Sequence, residues 1–221
     1  MATTPTPAAR KEKSGPRREA SSASARDALV AAAVQEFASK GFAGARVDEI
    51  AAVAGVNKQL VYHYFENKQG LYLVALELVY AQIREKEKAL SLEALGPLEA
   101  MAQLVGFSFD YLGEHPEFIA LLTDENRNQG RHILASDRLK SMHSPFIEML
   151  EATLLRGVDA GVFRAEYDAV NLYISMAGVS YFFFSNNHTL SAIFGHALDG
   201  PSALLQRRRH VIAFVLNALR P

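Results

Sequence analysis

Lys58, Gln59, Tyr62 and His63 have the clearest capacity for chemistry in this 221-residue chain, and that chemistry is recognition. At about 100° per residue along a helix they fall within one arc of roughly 140°, while Leu60, Val61, Tyr64 and Phe65 fill the opposite arc. One face is apolar and anchors; the other is polar and projects. A lysine ammonium can donate to guanine O6 and N7, a glutamine amide pairs with adenine N6 and N7, and tyrosine and histidine suit phosphate oxygens. This is the side-chain set of a major-groove reader.

Such an arc works only if other elements hold it at the surface. Asn57 is a good N-cap, because its side-chain oxygen can accept from backbone N–H groups two or three residues on, so a helix is expected just after it. Upstream, Val47, Ile50, Ala51 and Ala54 recur at intervals of three and four, which predicts a first helix, with Ala51 small enough for close approach to the second. Gly55 supplies the turn between them through a left-handed backbone conformation open to glycine. Val56 can then drop between the helices. The result is a helix-turn-helix.

Gly41-Phe42, Ile50-Ala51, Ala54-Gly55-Val56, Tyr62-His63-Tyr64-Phe65, Lys68 and Leu71 resemble the TetR (TetR/AcrR) family of one-component bacterial transcriptional regulators. The resemblance covers about the first third of the chain. It implies an all-α homodimer with an N-terminal three-helix DNA-binding head and a larger helical domain that dimerises and holds a small-molecule inducer. By position, Lys58, Gln59, Tyr62 and His63 resemble the family's DNA-contacting residues, and Lys68 its contact to the phosphate backbone. Where the family usually has a hydroxyl residue near the start of the first motif helix, this chain has Ala45 and Arg46; Arg46 can still reach a phosphate. Asn57 replaces a common Ser or Thr and keeps the capping role.

A net charge of −1 argues against a nucleic-acid partner until it is divided along the chain. Residues 1–72 hold 10 Lys and Arg against 7 Asp and Glu, a net +3; residues 73–221 hold 13 against 17, a net −4. The proposed head therefore carries the positive potential that phosphate binding requires. Hydrophobic residues make up 49% of the chain, ample for a buried core, and no apolar run reaches the 18 or so residues of a membrane span. The N-terminus lacks an apolar h-region and there is no cysteine, so the expected setting is the cytoplasm, without disulfides, thiolate metal sites or membrane contact.

Residues 1–24, rich in Ala, Ser, Thr and Pro with five basic residues, read as a disordered basic arm, either a solvated tail or a source of extra DNA contacts. Residues 25–71 form the expected helix-turn-helix domain, its first helix running from Ala25 to Gly41. Residues 72–221 form the effector-binding and dimerisation domain. Its helices are expected at about Gln69–Leu90, Pro97–Gly113, Pro116–Gln129, Leu139–Ala160, Asp168–Asn186 and Pro201–Leu219, with the charged run Arg84 to Lys88 near the end of the first.

In that second half, Phe107, Tyr111, Phe118, Phe146, Met149, Tyr173 and Met176 could line an apolar effector cavity, as the resemblance implies, or be ordinary core. Asn126 and Arg127, within the polar run from Asp124 to Asn128, could hold a carbonyl or carboxylate, or simply be a solvated helix end. The aromatic run Tyr181 to Phe184 cannot all face one core on a helix. With the final helix it points to a two-fold interface, the alternative being a helix buried on several sides within one chain. Arg207, Arg208 and Arg209 read as a solvated face.

Enzyme signatures are missing: Glu-x-x-His, His-Glu-x-x-His, the Gly-x-Ser-x-Gly elbow and the glycine-rich phosphate loops do not occur. His115, His132, His143, His188, His196 and His210 show no metal-ligand spacing. No catalytic residue, metal or cofactor is expected. The expected function is a ligand-responsive repressor released from a near-palindromic double-stranded DNA operator by a small-molecule effector. The alternative is a helical interaction module, or a helical enzyme, that does not bind DNA.

Overall fold

The computed structural model describes residues 16–221, with side chains from residue 23 onward apart from Ser144. Among the described residues there are helices and no strands. The head comprises α1 (Pro16–Gly44), α2 (Val47–Val53) and α3 (Gln59–Phe65), and α4 (Lys68–Lys88) leads out of it. Of the disordered arm expected over residues 1–24, residues 1–15 lie outside the described residues and residues 16–24 are helical. From Pro16 the chain is helical, so α1 starts well before the Ala25 expected for it. The reason is local: proline at a first helical position sacrifices no hydrogen bond, and neither glycine nor proline occurs again before Gly41.

At Gly41 the helix kinks, with φ 68° and ψ 173°, a region essentially reserved for glycine. Space requires glycine as well, because a Cβ there would lie 2.6 Å from Asp124 Oδ1. Phe42 is thereby turned onto Phe37 and Tyr72, with ring centroids 6.3 and 5.0 Å away.

The rest of the chain contains α5 (Pro97–Glu114), α6 (Pro116–Arg127), α7 (Arg131–Leu134), α8 (Asp137–Ser141), α9 (Ser144–Asp159), α10 (Ala169–Ser185), α11 (Asn187–Phe194) and α12 (Pro201–Leu219), with a 3-10 turn at Leu92–Ala94. Two expectations needed correction. The single helix expected over Leu139–Ala160 is two, α8 and α9, because Pro145 cannot continue a helix through the preceding turn and instead starts the second. Neither α7 nor α11 was anticipated; Gly130 starts the first, and Asn186 and Asn187 end one helix and begin another.

Two apolar cores hold the elements together. The first runs from Leu29, Phe37 and Ile50 through Val61, Phe65, Leu71 and Leu76 to Phe118, Leu121 and Leu139. It joins the head to α4, α6 and α8. The second gathers Met101, Leu104, Phe146, Leu150, Leu172, Val211 and Val215 from α5, α9, α10 and α12. Each such buried side chain contributes roughly 1.5–3 kcal/mol.

Candidate nucleic-acid interface and effector cavity

The helix-turn-helix closes as its residues dictate. Gly55 has φ 68°, Gly55 N donates to Ala52 O at 3.1 Å, and Val56 N donates to Ala51 O at 3.0 Å. These two bonds make a Schellman end to α2, which needs the left-handed residue at Gly55. Nothing lies within 4 Å of a Cβ placed there, so the requirement is conformational. Asn57 Oδ1 then accepts from Gln59 N at 2.8 Å, satisfying a backbone donor at the start of α3.

α3 divides as the angular pattern requires. Val61 and Phe65 are buried, Leu60 and Tyr64 partly buried against the same core, and Lys58, Gln59, Tyr62 and His63 all exposed. Tyr62 keeps 48% of its surface in solvent, too much for a core tyrosine. Lys58 makes no ion pair among the described residues, so its ammonium is available to an incoming anion.

The two flanking cations are placed differently. Arg46 is exposed at the start of α2, 2.9 Å from Asp48 and 3.8 Å from Glu49. Its hydrogen bond holds the Asp48 carboxyl below the usual carboxylate range. Exposed pairs of this kind are weak, so phosphate can compete for the guanidinium. Lys68 is half buried and turned inward: Nζ donates to Ala43 O at 3.3 Å and lies 5.1 Å from the centre of the Phe42 ring. It pins the kinked end of α1 to the start of α4.

Of the residues expected to line an effector cavity, Phe118, Asn126, Phe146, Tyr173 and Met176 border one cavity of about 470 Å³ between α4, α5, α6, α9 and α10. That volume suits a small organic ligand. The other four lie elsewhere. Met149 borders a neighbouring cavity of about 320 Å³. Tyr111 is buried in the first core, stacked on His115 at 4.1 Å, with burial lifting its hydroxyl to about 12. Phe107 packs beside it, ring centroids 5.8 Å apart. Arg127 is exposed on a cleft beside α1.

The polar run of α6 is neither wholly turned to a ligand nor wholly solvated. Asp124 and Glu125 point into the protein. Asp124 Oδ2 accepts from Phe42 N at 2.8 Å and from the Tyr72 hydroxyl at 3.1 Å, and Glu125 accepts from the backbone N–H groups of His132 and Ile133 at 2.8 and 3.1 Å. The charged run Arg84 to Lys88 is not uniformly exposed: Arg84 and Glu87 are buried and face the cavity, with Tyr80 on the same stripe. Spacing could have found them, since Leu76, Tyr80, Ile83 and Glu87 follow one another at intervals of three and four. Nor are Arg207 and Arg208 merely solvated: Arg207 Nη2 donates to Val179 O at 3.0 Å, and Arg208 Nε donates to Asp110 at 2.7 Å.

Residues 29–75 match the family model for bacterial regulatory proteins of the tetR family, and residues 97–215, more than half the chain, match the tetracyclin repressor-like C-terminal domain. The chain belongs to the TetR family. It is accordingly a ligand-responsive DNA-binding transcriptional regulator and not an enzyme. It is 33% identical to the HTH-type transcriptional repressor NicS of Pseudomonas putida over 195 residues, 88% of this chain and 92% of that protein. It is 37% identical over 114 residues to the HTH-type transcriptional repressor SCO4008 of Streptomyces coelicolor, covering 51% and 55% of the two chains. The crystal structure of SCO4942 from Streptomyces coelicolor superposes with a TM-score of 0.67 at 27% identity, over 89% of this chain and 99% of that one. Bacillus subtilis FadR in complex with stearoyl-CoA has the same fold, with a TM-score of 0.66 at 16% identity over 88% and 99% of the two chains. Among the described residues no helix is long and apolar enough to cross a membrane, and no group of three or more acidic or histidine side chains is arranged to hold a metal.

Proposed function

We propose that the chain acts as a homodimeric cytoplasmic repressor. Each subunit inserts α3 into a major groove of a near-palindromic operator, and the dimer leaves when a small effector fills the cavity bordered by Tyr173 and Met176. The observation that carries this reading is the division of α3: an apolar arc in the core beneath a wholly exposed arc of Lys58, Gln59, Tyr62 and His63. In this reading Lys58 and Gln59 read base edges, Tyr62, His63, Arg46 and Lys68 position the head on phosphates, and Asn57 caps the reading helix. Residues 25–71 act as the head and residues 72–221 as the effector and dimerisation domain.

The second copy is expected on α10 and α12. Val170, Ile174 and Phe182 on one helix and Leu205 and Phe214 on the other are all about half exposed or more, which is unusual for large apolar side chains that recur along helix faces. A two-fold dimer would space its half-sites one helical turn, roughly 34–36 Å, or a multiple apart.

The test begins with selecting bound fragments from random DNA. Lys58→Ala and Gln59→Ala should each weaken binding to the selected site by about 1–3 kcal/mol and relax base preference at one position per half-site. Unchanged affinity in both variants would assign α3 to some other partner, such as a protein.

A further inference from the structure

The C-terminal part of α4 turns two charged side chains inward, and they form the wall between the two cavities of the effector domain. The Arg84 side chain is 9% exposed and that of Glu87 4%. Arg84 Nη1 lies 2.7 Å from Glu87 Oε2, but the contact is not aligned as a hydrogen bond. Arg84 Nε and Nη1, Glu87 Oε2 and, on α10, Ser180 Oγ are all buried without a hydrogen-bond partner among the described residues. Buried polar groups are normally partnered, so a cluster of orphans facing a cavity marks a place where a ligand's polar group belongs.

The charge of that polar group follows from the two partners. A guanidinium cannot shed its proton, so Arg84 is a permanent buried cation, 4.6 Å from the centre of the Phe146 ring. Glu87 is a weaker counter-ion than its proximity implies: burial lifts its carboxyl from 4.5 to about 7, against the pull of Arg84. Near neutrality a substantial fraction of molecules therefore holds a neutral Glu87 beside a charged Arg84. An anion entering the cavity meets an uncompensated cation and a carboxylic acid able to donate to it. A cation meets repulsion from Arg84. A neutral amide satisfies hydrogen bonds but leaves the charge uncompensated. Apart from the neutral Ser108 and Asn126, the rest of the wall is apolar and aromatic, with Leu112, Phe118, Tyr173, Met176 and Tyr181.

We propose that the effector is an organic monoacid, its apolar body seated between α5, α6 and α10 and its carboxylate accepting from the Arg84 guanidinium beside Glu87 and Ser180. The proposal rests on reading this cavity as the effector site. Arg84 and Glu87 are then the residues that set specificity, in opposite senses: one attracts the carboxylate and the other competes with it.

The test is calorimetric titration of the full-length protein with benzoate, phenylacetate, 3-phenylpropanoate and octanoate, with the matching primary amides and with benzylamine. At least one acid should bind about ten- to a hundredfold more tightly than its amide, the ratio expected for one charge-assisted hydrogen bond in place of a neutral one. Arg84→Met should reduce that acid to the level of the amide, whereas Glu87→Gln, which removes the competing charge and keeps the shape, should tighten it. Ala177→Phe, which fills the cavity, should abolish all binding. Equal affinity for acid and amide, tighter binding of benzylamine, or an Arg84→Met variant that binds acids normally would overturn the acid assignment. The cavity reading would survive those results so long as Ala177→Phe still blocked binding. Should Arg84→Met not fold, Glu87→Gln decides: weakened or unchanged acid binding overturns the proposal. Failure of every probe to bind, or binding that ignores Ala177→Phe, would overturn the cavity reading and the acid assignment with it.

Discussion

Replacing Asp124 by alanine should loosen the joint between the head and the effector domain. Its Oδ2 accepts from Phe42 N at 2.8 Å, from the Tyr72 hydroxyl at 3.1 Å and from Asn128 Nδ2 at 3.3 Å. Tyr72 is fully buried, wedged against Phe37 at 4.9 Å and His132 at 4.7 Å, so its hydroxyl cannot turn to water when the carboxylate is gone. Hydrogen bonds to a charged partner contribute about 1.5–3 kcal/mol each, and the Asn128 contact is long enough to count for little. Allowing for partial exposure at this site, the loss should be about 3 kcal/mol, or a fall in melting temperature on the order of 6–12 °C for a chain of this length. Gly41→Ala should also destabilise, by about 1–3 kcal/mol for the backbone conformation alone, plus the clash of its Cβ with Asp124 Oδ1. The two sites touch, so their effects should not add. In the double variant the clash is removed while the backbone strain stays, and the combined loss should fall below the sum of the single losses by about 1 kcal/mol or more. Urea unfolding of the four proteins at one concentration measures this cycle. A single-variant loss for Asp124→Ala under about 0.5 kcal/mol, or strict additivity, would refute the joint as described.

Lys68→Ala should reduce the salt slope of DNA binding by about one if its ammonium reaches a phosphate, whereas a purely internal role, holding Ala43 O, would lower thermal stability and leave the slope intact; titrations of DNA affinity across salt concentrations separate the two. Glu87 has a folded-state pKa raised above its unfolded value, so the folded protein holds the proton more tightly and is stabilised at low pH. That contribution is fully present below about 4.5 and is lost as pH rises to about 7. Between those values Glu87→Gln should gain on the native sequence by up to about 3 kcal/mol, measured as the pH dependence of the difference in unfolding free energy; a pH-independent difference would contradict the burial. Phe182→Glu with Phe214→Glu should convert a dimer to monomers in sedimentation and weaken operator binding, since each half-site alone holds only one head. An unchanged sedimentation coefficient would move the interface elsewhere.

The head was legible because each of its constraints is local. A glycine in a left-handed turn, an asparagine two residues before the N–H it caps, and two arcs of one short helix can all be read from neighbours in sequence. The final helix was legible for the same reason, starting at Pro201 and ending at Leu219 as its boundary signals require. What escaped was long-range. Asp124 and Glu125 look like a solvated helix end until Phe42, from eighty residues away, and the turn at His132 supply the donors they accept from. Arg84 and Glu87 were read by residue type, as a charged run, although their stripe with Leu76 and Tyr80 placed them inward. Aromatic character alone did not separate Tyr111, a core residue, from Tyr173, a cavity residue; only the packing of α5 against its neighbours does.

The placement of these groups bears on how an effector could act at the reading helix. α6 presents Phe118, Leu122 and Asn126 to the cavity and, a residue or two away on its other face, Asp124 to the kink at Gly41 and Phe42. α4 carries Arg84 and Glu87 at one end and Lys68, against Phe42 and Ala43, at the other, about 24 and 29 Å away at the rise of an α-helix. Two of the helices that wall the cavity, α4 and α6, therefore touch the same short segment at the end of α1. A ligand that displaces either helix moves that segment, and with it the head that packs on Phe37. The first core, continuous from α1 to α6, transmits such a shift as a rigid displacement because close-packed side chains do not compress. Binding alone does not switch the protein. The ligand must hold α4 and α6 in the arrangement that misplaces α3, and release from DNA can be no stronger than the ligand's preference for that arrangement over the operator-bound one.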